Sequence, residues 1–295
     1  MDERLFARLA ARLAHGPVVL ASVLHTRGAT PRLAGSRMLV GLHDSEFSVG
    51  GGQAEAQVIA AARALLADAA AATELAIDLS GRAGAAGVCG GHMALHLQRW
   101  AGAADQARAQ TLAAALQRGE RVDWQPAPGV APQRLQPRPR LLIVGGGHCG
   151  LALHDAARAL DFEAWVQDSR ADCFGAGRFA GATVLCGVAA LLAQALATPR
   201  DVYAVLLNRD YPSDVAALDV LCRQPPAFLG MMGSARRIAT VRAALPQHAA
   251  ALQALHAPIG LDIDAQTPEE IAVSILAQLV QVRRGRERAA AAGSE

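Results

Sequence analysis

The sequence predicts a two-domain α/β chain with a doubly wound parallel sheet in its second half, and three observations carry that prediction. Its 295 residues, 52% of them hydrophobic, are long and apolar enough to bury more than one core. The run RLLIVGGGHCGLALHDAARALDFEAWVQDSR at 140–170 reads as a strand, a glycine-rich turn, a helix and a second strand ending in Asp168. Beyond it, short apolar strands alternate with helices, which implies right-handed crossovers onto one parallel sheet. The expected organisation is an N-terminal α+β domain over 1–123, a linker over 124–139, a Rossmann-like domain over 140–285, and a frayed tail over 286–295.

Taken in order, residues 2–15 read as an amphipathic helix, with Leu5, Leu9 and Leu13 on one face. Strands are expected at 17–25 and 37–42 around the loop TRGATPRLAGS. A turn at His43-Asp44-Ser45 leads into a strand at 47–50. Gly50-Gly51-Gly52 opens a helix from about Ala54 to Asp68. Strands at 74–79 and 93–100 then suggest a sheet that closes back on itself, before a helix near 105–118. Five prolines and no sustained period between Trp124 and Pro139 mark the linker. After it come strand 141–144, helix 151–160, strands 163–168 and 182–186, helix 188–197 and strand 202–207. A helix from Ser213, strand 227–230 and a helix from Ala235 follow. Thr267-Pro268-Glu269-Glu270 is a capping box with proline at the first helical position. The last helix has one broad apolar face, so burial or a homodimer is expected there.

Composition excludes several chemistries. Net charge is +2, and all 28 basic residues are arginine. Without lysine there is no Schiff base, no Walker A lysine and no Tyr-x-x-x-Lys dyad. Arginines scattered along the chain favour fixed carboxylate or phosphate contacts over a nucleic-acid stripe, so no nucleic-acid partner is expected. The N-terminus carries acidic residues where a signal peptide would be basic, and no run of 18 apolar residues predicts a membrane span. Five scattered cysteines fit reduced thiols in a cytoplasm.

Several clusters could carry chemistry. In the glycine-rich turn of the second half, Gly145 makes the tight turn, Gly147 admits a phosphate to the backbone, and Gly150 lets the helix pack on the strand. Asp168, roughly 20 residues on, stands where a ribose hydroxyl is bound. Upstream, Gly50, Gly51, Gly52 and Gln53 lead into a helix, so their amides either cradle an anion or merely form a tight turn. Arg32 and Arg37 flank a loop and either clamp phosphate or are solvated. Cys89 beside Gly90 and Gly91 leaves its sulfur approachable by a bulky ligand, although a lone cysteine is also a small buried hydrophobe. Ser234 and Arg236 offer a second anion contact, or Ser234 simply caps a helix.

Seven segments in order, TRGATPRLAGSRMLV, SVGGGQAEAQ, CGGHMALHLQ, LLIVGGGHCGLAL, NRDYPSD, LGMMGSARR and HAPIGLDIDAQTPEEIAVSILAQLV, resemble the xanthine dehydrogenase accessory proteins of the XdhC/CoxI type. The resemblance runs from about 17 to 284. Relatives often carry two adjacent cysteines before the Gly-Gly, whereas here Val88 precedes Cys89. The resemblance implies a carrier rather than a catalyst. Such a carrier binds the molybdenum cofactor (molybdopterin) and delivers it to a molybdenum hydroxylase such as xanthine dehydrogenase, together with a cysteine desulfurase that exchanges one oxo ligand for sulfur. In that role the glycine triplet with Arg32 or Arg37 would hold phosphate, and Cys89 would contact the metal. The Rossmann turn would hold part of the same ligand or a separate dinucleotide, with the ligand expected in a cleft between the domains. Competing readings are an NAD(P)-dependent oxidoreductase and an assembly scaffold without cofactor. Against the oxidoreductase, the lysine dyad is impossible and His148 sits at the phosphate, not at a nicotinamide.

Overall fold

The structure is a computed structural model that describes residues 2–126, 129–175 and 177–292. The chain divides into two compact units after Pro137.

The first unit is built on an open antiparallel sheet. Its elements are α1 (Asp2–Leu13), β1 (Val18–Arg27), β2 (Arg37–Val40), β3 (Ser45–Phe47), α2 (Gly52–Ala67), β4 (Ala72–Asp78), β5 (His92–Trp100) and α3 (Gly102–Gln117). The strand order is β3-β2-β1-β5-β4, which leaves β3 and β4 as edges, so the expected closure does not occur. Alternation along β1 makes two cores. Val19, Ala21 and Val23 pack with Val58, Ala62 and Leu65 of α2, while Val18 and Leu20 pack with Leu5, Phe6 and Leu9 of α1 and Ala113 and Leu116 of α3. Each large side chain so buried contributes about 1.5–3 kcal/mol.

The strand expected at 47–50 starts earlier and ends at Phe47, whose φ of 65° turns the chain toward three glycines that also have positive φ. Within the proline-rich segment, β6 (Val122–Trp124) and β7 (Gln133–Leu135) pair as a small antiparallel hairpin. Trp124 and Leu135 of that hairpin join the α1/α3 core, which places it in the first unit.

The second unit has β8 (Arg140–Val144), α4 (His148–Ala157), β9 (Glu163–Asp168), β10 (Thr183–Cys186), α5 (Leu192–Leu196), β11 (Val202–Leu206), α6 (Tyr211–Arg223), β12 (Phe228–Met231), α7 (Ala235–Ala244) and α8 (Pro268–Ala292). All pairings are parallel, in the order β10-β9-β8-β11-β12. The chain starts at the central β8, winds outward through β9 and β10, and returns to β11 on the other side of β8. The order therefore reverses beside β8, and ligands of such sheets bind outside the strand ends at that point. Residues of α5, α6 and α7 share one core; α4 and α8 cover the opposite face.

The capping box forms as read: Glu270 N donates to Thr267 Oγ1 at 3.2 Å, and Thr267 N donates to Glu270 Oε2 at 3.0 Å. The apolar face of α8 is buried within the unit through Ala272, Ile275 and Leu279, which accounts for it without a second copy. The helix continues through 286–292, where a frayed tail was expected. The end of that expected tail, 293–295, lies outside the described residues.

Candidate functional site

In the first unit, β1 and β5 end together at the Arg27–His92 pair, and the chain beyond each is glycine-rich. A Cβ at Gly28 would lie 2.9 Å from the carbonyl oxygen of Gly90, and one at Gly91 would lie 2.3 Å from that of Ala29. A Cβ at Gly50 would lie 2.5 Å from Pro31 Cγ and 3.9 Å from Arg32 Cγ. Only glycine permits these approaches. They bring Arg32, the Gly50–Gln53 turn and the Cys89–Gly91 loop around one segment, residues 27–32. The Cys89 thiol is free and exposed, and the Cβ positions of Gly51, Gly52 and Gly90 face open space.

The turn is not an empty anion nest. Glu55 Oε2 accepts from Ser48 Oγ at 2.6 Å, Gly51 N at 3.1 Å and Val49 N at 3.2 Å. Burial pushes this carboxyl up, but those bonds outweigh it and hold it below the usual range. The amides nearest the strand are thus engaged by the chain's own carboxylate, and the residues at the start of α2, Gly52 and Gln53, are exposed. Sequence reasoning missed Glu55, although an acid in the first turn of a helix after three glycines was the available signal.

Arg37 does not belong to this cluster. It is 2% exposed. Its guanidinium donates to Asp2 Oδ1 at 2.6 Å, to Gly35 O at 3.0 Å and to Gln133, with its face 5.3 Å from the Trp124 ring. It ties α1 to the small hairpin. Both terminal nitrogens are taken by protein and its Nε is buried without a partner, so the phosphate clamp read from sequence falls to the exposed Arg32 alone.

In the second unit, Gly145 has φ 116°, and a Cβ there would come within 2.8 Å of Leu207 backbone. A Cβ at Gly150 would lie 2.0 Å from Gly145 O, so α4 packs directly on the turn. Gly147 is open, with Arg209 Nε as its nearest neighbour at 4.0 Å.

Asp168 lies at the end of β9 and is 6% exposed, with both oxygens already engaged. Oδ2 accepts from Gly146 N and from Arg170 Nη2, both at 2.8 Å; Oδ1 accepts from Arg170 N at 2.9 Å and Arg170 Nε at 3.0 Å. Burial raises its pKa, but the Arg170 guanidinium and the two amides win and lower it to about 2. A ribose hydroxyl would therefore meet a carboxylate bridged by Arg170, and not a free acceptor. Arg178 holds the other side of the turn, donating to Gly146 O at 2.9 Å and Cys173 O at 2.8 Å.

On the β11 side, Asp214 is fully buried and accepts from Asn208 Nδ2 at 3.0 Å and Arg237 Nε at 2.8 Å. Arg237 also donates to the carbonyls of Asn208, Arg209 and Asp210, and so fixes the loop that carries Arg209. Ser234 caps α7, accepting from Arg237 N at 3.3 Å, and Arg236 is exposed. The arginine that organises this edge is Arg237, one residue beyond the one singled out in the sequence. Burial and nearby Glu269 push the Cys149 thiol up, against a smaller opposing effect of Arg209, which makes it a poor nucleophile. Among the described residues, no group of three or more His, Cys, Asp or Glu side chains is placed to hold a metal, and no helix is long and apolar enough to cross a membrane.

Residues 11–76 match the XdhC and CoxI family, and residues 141–279 match the XdhC Rossmann domain. The chain belongs to the XdhC and CoxI family. Among curated relatives of this XdhC/CoxI chain, an uncharacterised Escherichia coli protein, YqeB, is 34% identical over 151 residues, which is 50% of this chain and 28% of that protein. A probable xanthine dehydrogenase subunit of Bacillus subtilis is 32% identical over 158 residues, 52% of this chain and 45% of the relative. The matched region thus spans less than half of either curated relative. A crystal structure of a xanthine dehydrogenase from Bacillus halodurans superposes with a TM-score of 0.83 over 97% of this chain and 96% of that one, at 23% identity, and so shares its fold.

Proposed function

We propose that this XdhC/CoxI chain is a maturation factor that binds the molybdenum cofactor and hands it to a xanthine dehydrogenase-type hydroxylase, acting with a cysteine desulfurase. The observation that supports this reading most directly is the convergence of Arg32, the Gly52–Gln53 amides and the exposed Cys89 around residues 27–32, with open space above Gly51, Gly52 and Gly90. That donor set suits a pterin phosphate bearing a metal dithiolene: the exposed start of a helix and the exposed Arg32 guanidinium for the anion, one soft sulfur for the metal. When bound, the cofactor supplies the oxo-transfer centre of the recipient hydroxylase. Arg32 and the Gly52–Gln53 turn would hold the phosphate, Cys89 would offer sulfur to the metal, and the glycines would leave room for the ligand. The Gly147 turn and Arg209 give the second unit a separate place for a phosphate-bearing ligand, a dinucleotide included.

The test is purification of the full chain from cells that make the cofactor, followed by oxidation, pterin fluorescence and metal analysis. Wild type is expected to carry pterin and molybdenum, and Cys89→Ser to lose most of the metal without a change in melting temperature. Equal metal retention in the variant removes Cys89 from the site. Protein that binds the hydroxylase yet never carries pterin is a scaffold, and the carrier reading fails.

A further inference from the structure

The first sheet has a concave region that the glycine loops do not account for. Helices α1 and α3 cover one face of it around Val18, Leu20 and Trp100. Toward the other end of the same face, the strand register lays out three rows across β1, β5 and β4: Ser22–His96–Glu74, His25–Ala94–Ala76 and Arg27–His92–Asp78. The last two rows line a cavity of about 300 Å³. Its hollow exists because Ala76 and Ala94 are small while the side chains around them are long. The volume is at the lower end for small-molecule sites, enough for one bicyclic ring system.

The polar groups there are unequally used. Asp78 Oδ1 accepts from Ser80 N at 2.8 Å and stands 3.3 Å from His92 Nε2, and both side chains remain open to solvent. In the adjoining row His96 is 5% exposed, and neither of its ring nitrogens has a partner; Ser22 Oγ and Gln98 Oε1 are orphaned in the same way. These three lie outside the lining of the cavity, so the polar groups open to a ligand there are those of Asp78, His92, His25 and Arg27.

The charges narrow the ligand class. Asp78 opposes a phosphate in the cavity and Arg27 opposes a cation, so a neutral heterocycle with donors on one edge and a carbonyl on another fits both. We propose that this cavity seats the ring of a pterin, with Asp78 accepting from its amino-pyrimidine edge, Arg27 donating to its ring carbonyl, and His25 and His92 at its sides. The assignment rests on the carrier reading and adds a subsite to it. Arg27 and His92 adjoin Gly28 and Gly91, the glycines at the closest approach of the two loops, and Cys89 is three residues from His92. A ring seated here leaves the phosphate-bearing side of the ligand to the loops.

The test uses the full chain and probes lacking metal and phosphate: 6-hydroxymethylpterin and the matching lumazine, whose 2-oxo group replaces the 2-amino group, titrated by ligand fluorescence. Wild type is expected to bind the pterin saturably and to prefer it over the lumazine by about tenfold, the factor that one mismatched hydrogen-bond pair gives. Asp78→Asn should weaken pterin binding about tenfold and abolish the preference. Ala94→Leu, which fills the cavity without touching a hydrogen bond, should abolish binding of both probes. Melting curves establish that each variant is folded. If the cofactor copurifies with wild type but the free pterin does not bind, or if folded Asp78→Asn and Ala94→Leu bind it like wild type, the cavity assignment is overturned and the carrier reading stands. If wild type binds neither, both fall.

Discussion

Replacing Asp168 by Asn tests the electrostatic account of the Rossmann turn. The carboxylate is 6% exposed, whereas the Arg170 side chain is 43% exposed, so solvent screens part of their attraction and an energy taken from the pKa is an upper one. In the fold its pKa falls from 3.8 to about 2. At 1.36 kcal/mol per pKa unit, that difference corresponds to roughly 2 kcal/mol of preference for the folded state when the group is ionised. The folded pKa lies below the unfolded one, so this contribution is complete above pH 4 and is lost as pH falls from about 4 toward 2. An asparagine keeps the shape and one acceptor but not the charge that holds the Arg170 guanidinium and the Gly146 amide. Asp168→Asn should therefore destabilise the second unit by up to about 2 kcal/mol at pH 7, with a gap that narrows as pH is lowered through that window. Hydrogen exchange of β8 and β9 amides, measured for both proteins at pH 7 and near pH 3.5, reads the opening free energy of this unit directly. A gap under about 0.5 kcal/mol at pH 7, smaller than a single weak hydrogen bond, would refute the reasoning. So would a gap that widens in acid.

Two further perturbations follow from the same edge of the sheet. Arg237→Ala strands a fully buried Asp214 and releases three backbone carbonyls, so urea denaturation should show the second unit weakened by about 3–5 kcal/mol; a loss below 1 kcal/mol would mean that water replaces the guanidinium. Gly150→Ala places a Cβ 2.0 Å from Gly145 O and should lower the melting temperature sharply, whereas Gly147→Ala meets nothing closer than 4.0 Å and should melt like wild type; equal effects would contradict this packing of α4 on the turn.

Much of the fold was legible because two periods are written plainly into the chain. The strand, glycine turn and strand around Gly145, and the capping box at Thr267, depend on residues within a few positions of one another. The local pattern is enough for those. What the sequence hid is long-range pairing. Arg37 sits in a loop-like stretch and looks like a surface cation, yet its partners Asp2 and Gln133 are 35 and 96 residues away. Arg236 and Arg237 are adjacent and chemically equal on paper, and only the position of buried Asp214 on α6 selects the second. The openness of the first sheet was hidden for a related reason: strand patterns show which face is apolar, not whether the outermost strands find each other.

The two glycine turns also share a device that neither shows in one dimension. In the first unit Glu55 takes the amides of Val49 and Gly51; in the second, Asp168 takes that of Gly146. Each turn thus carries its own carboxylate on its strand side, and in the second unit Arg170 neutralises it. That carboxylate satisfies amides that would otherwise be orphaned in the apo protein, so the turn is ordered before any ligand arrives. Under the carrier reading proposed above, a phosphate would meet the amides beyond these, those of Gly52 and Gln53 in one unit and of the start of α4 in the other. A cofactor carrier must hold its cargo firmly enough to shield it and loosely enough to release it. If this chain is the carrier proposed above, a turn already ordered by its own carboxylate would meet that requirement, because the geometry is preorganised before any cargo arrives.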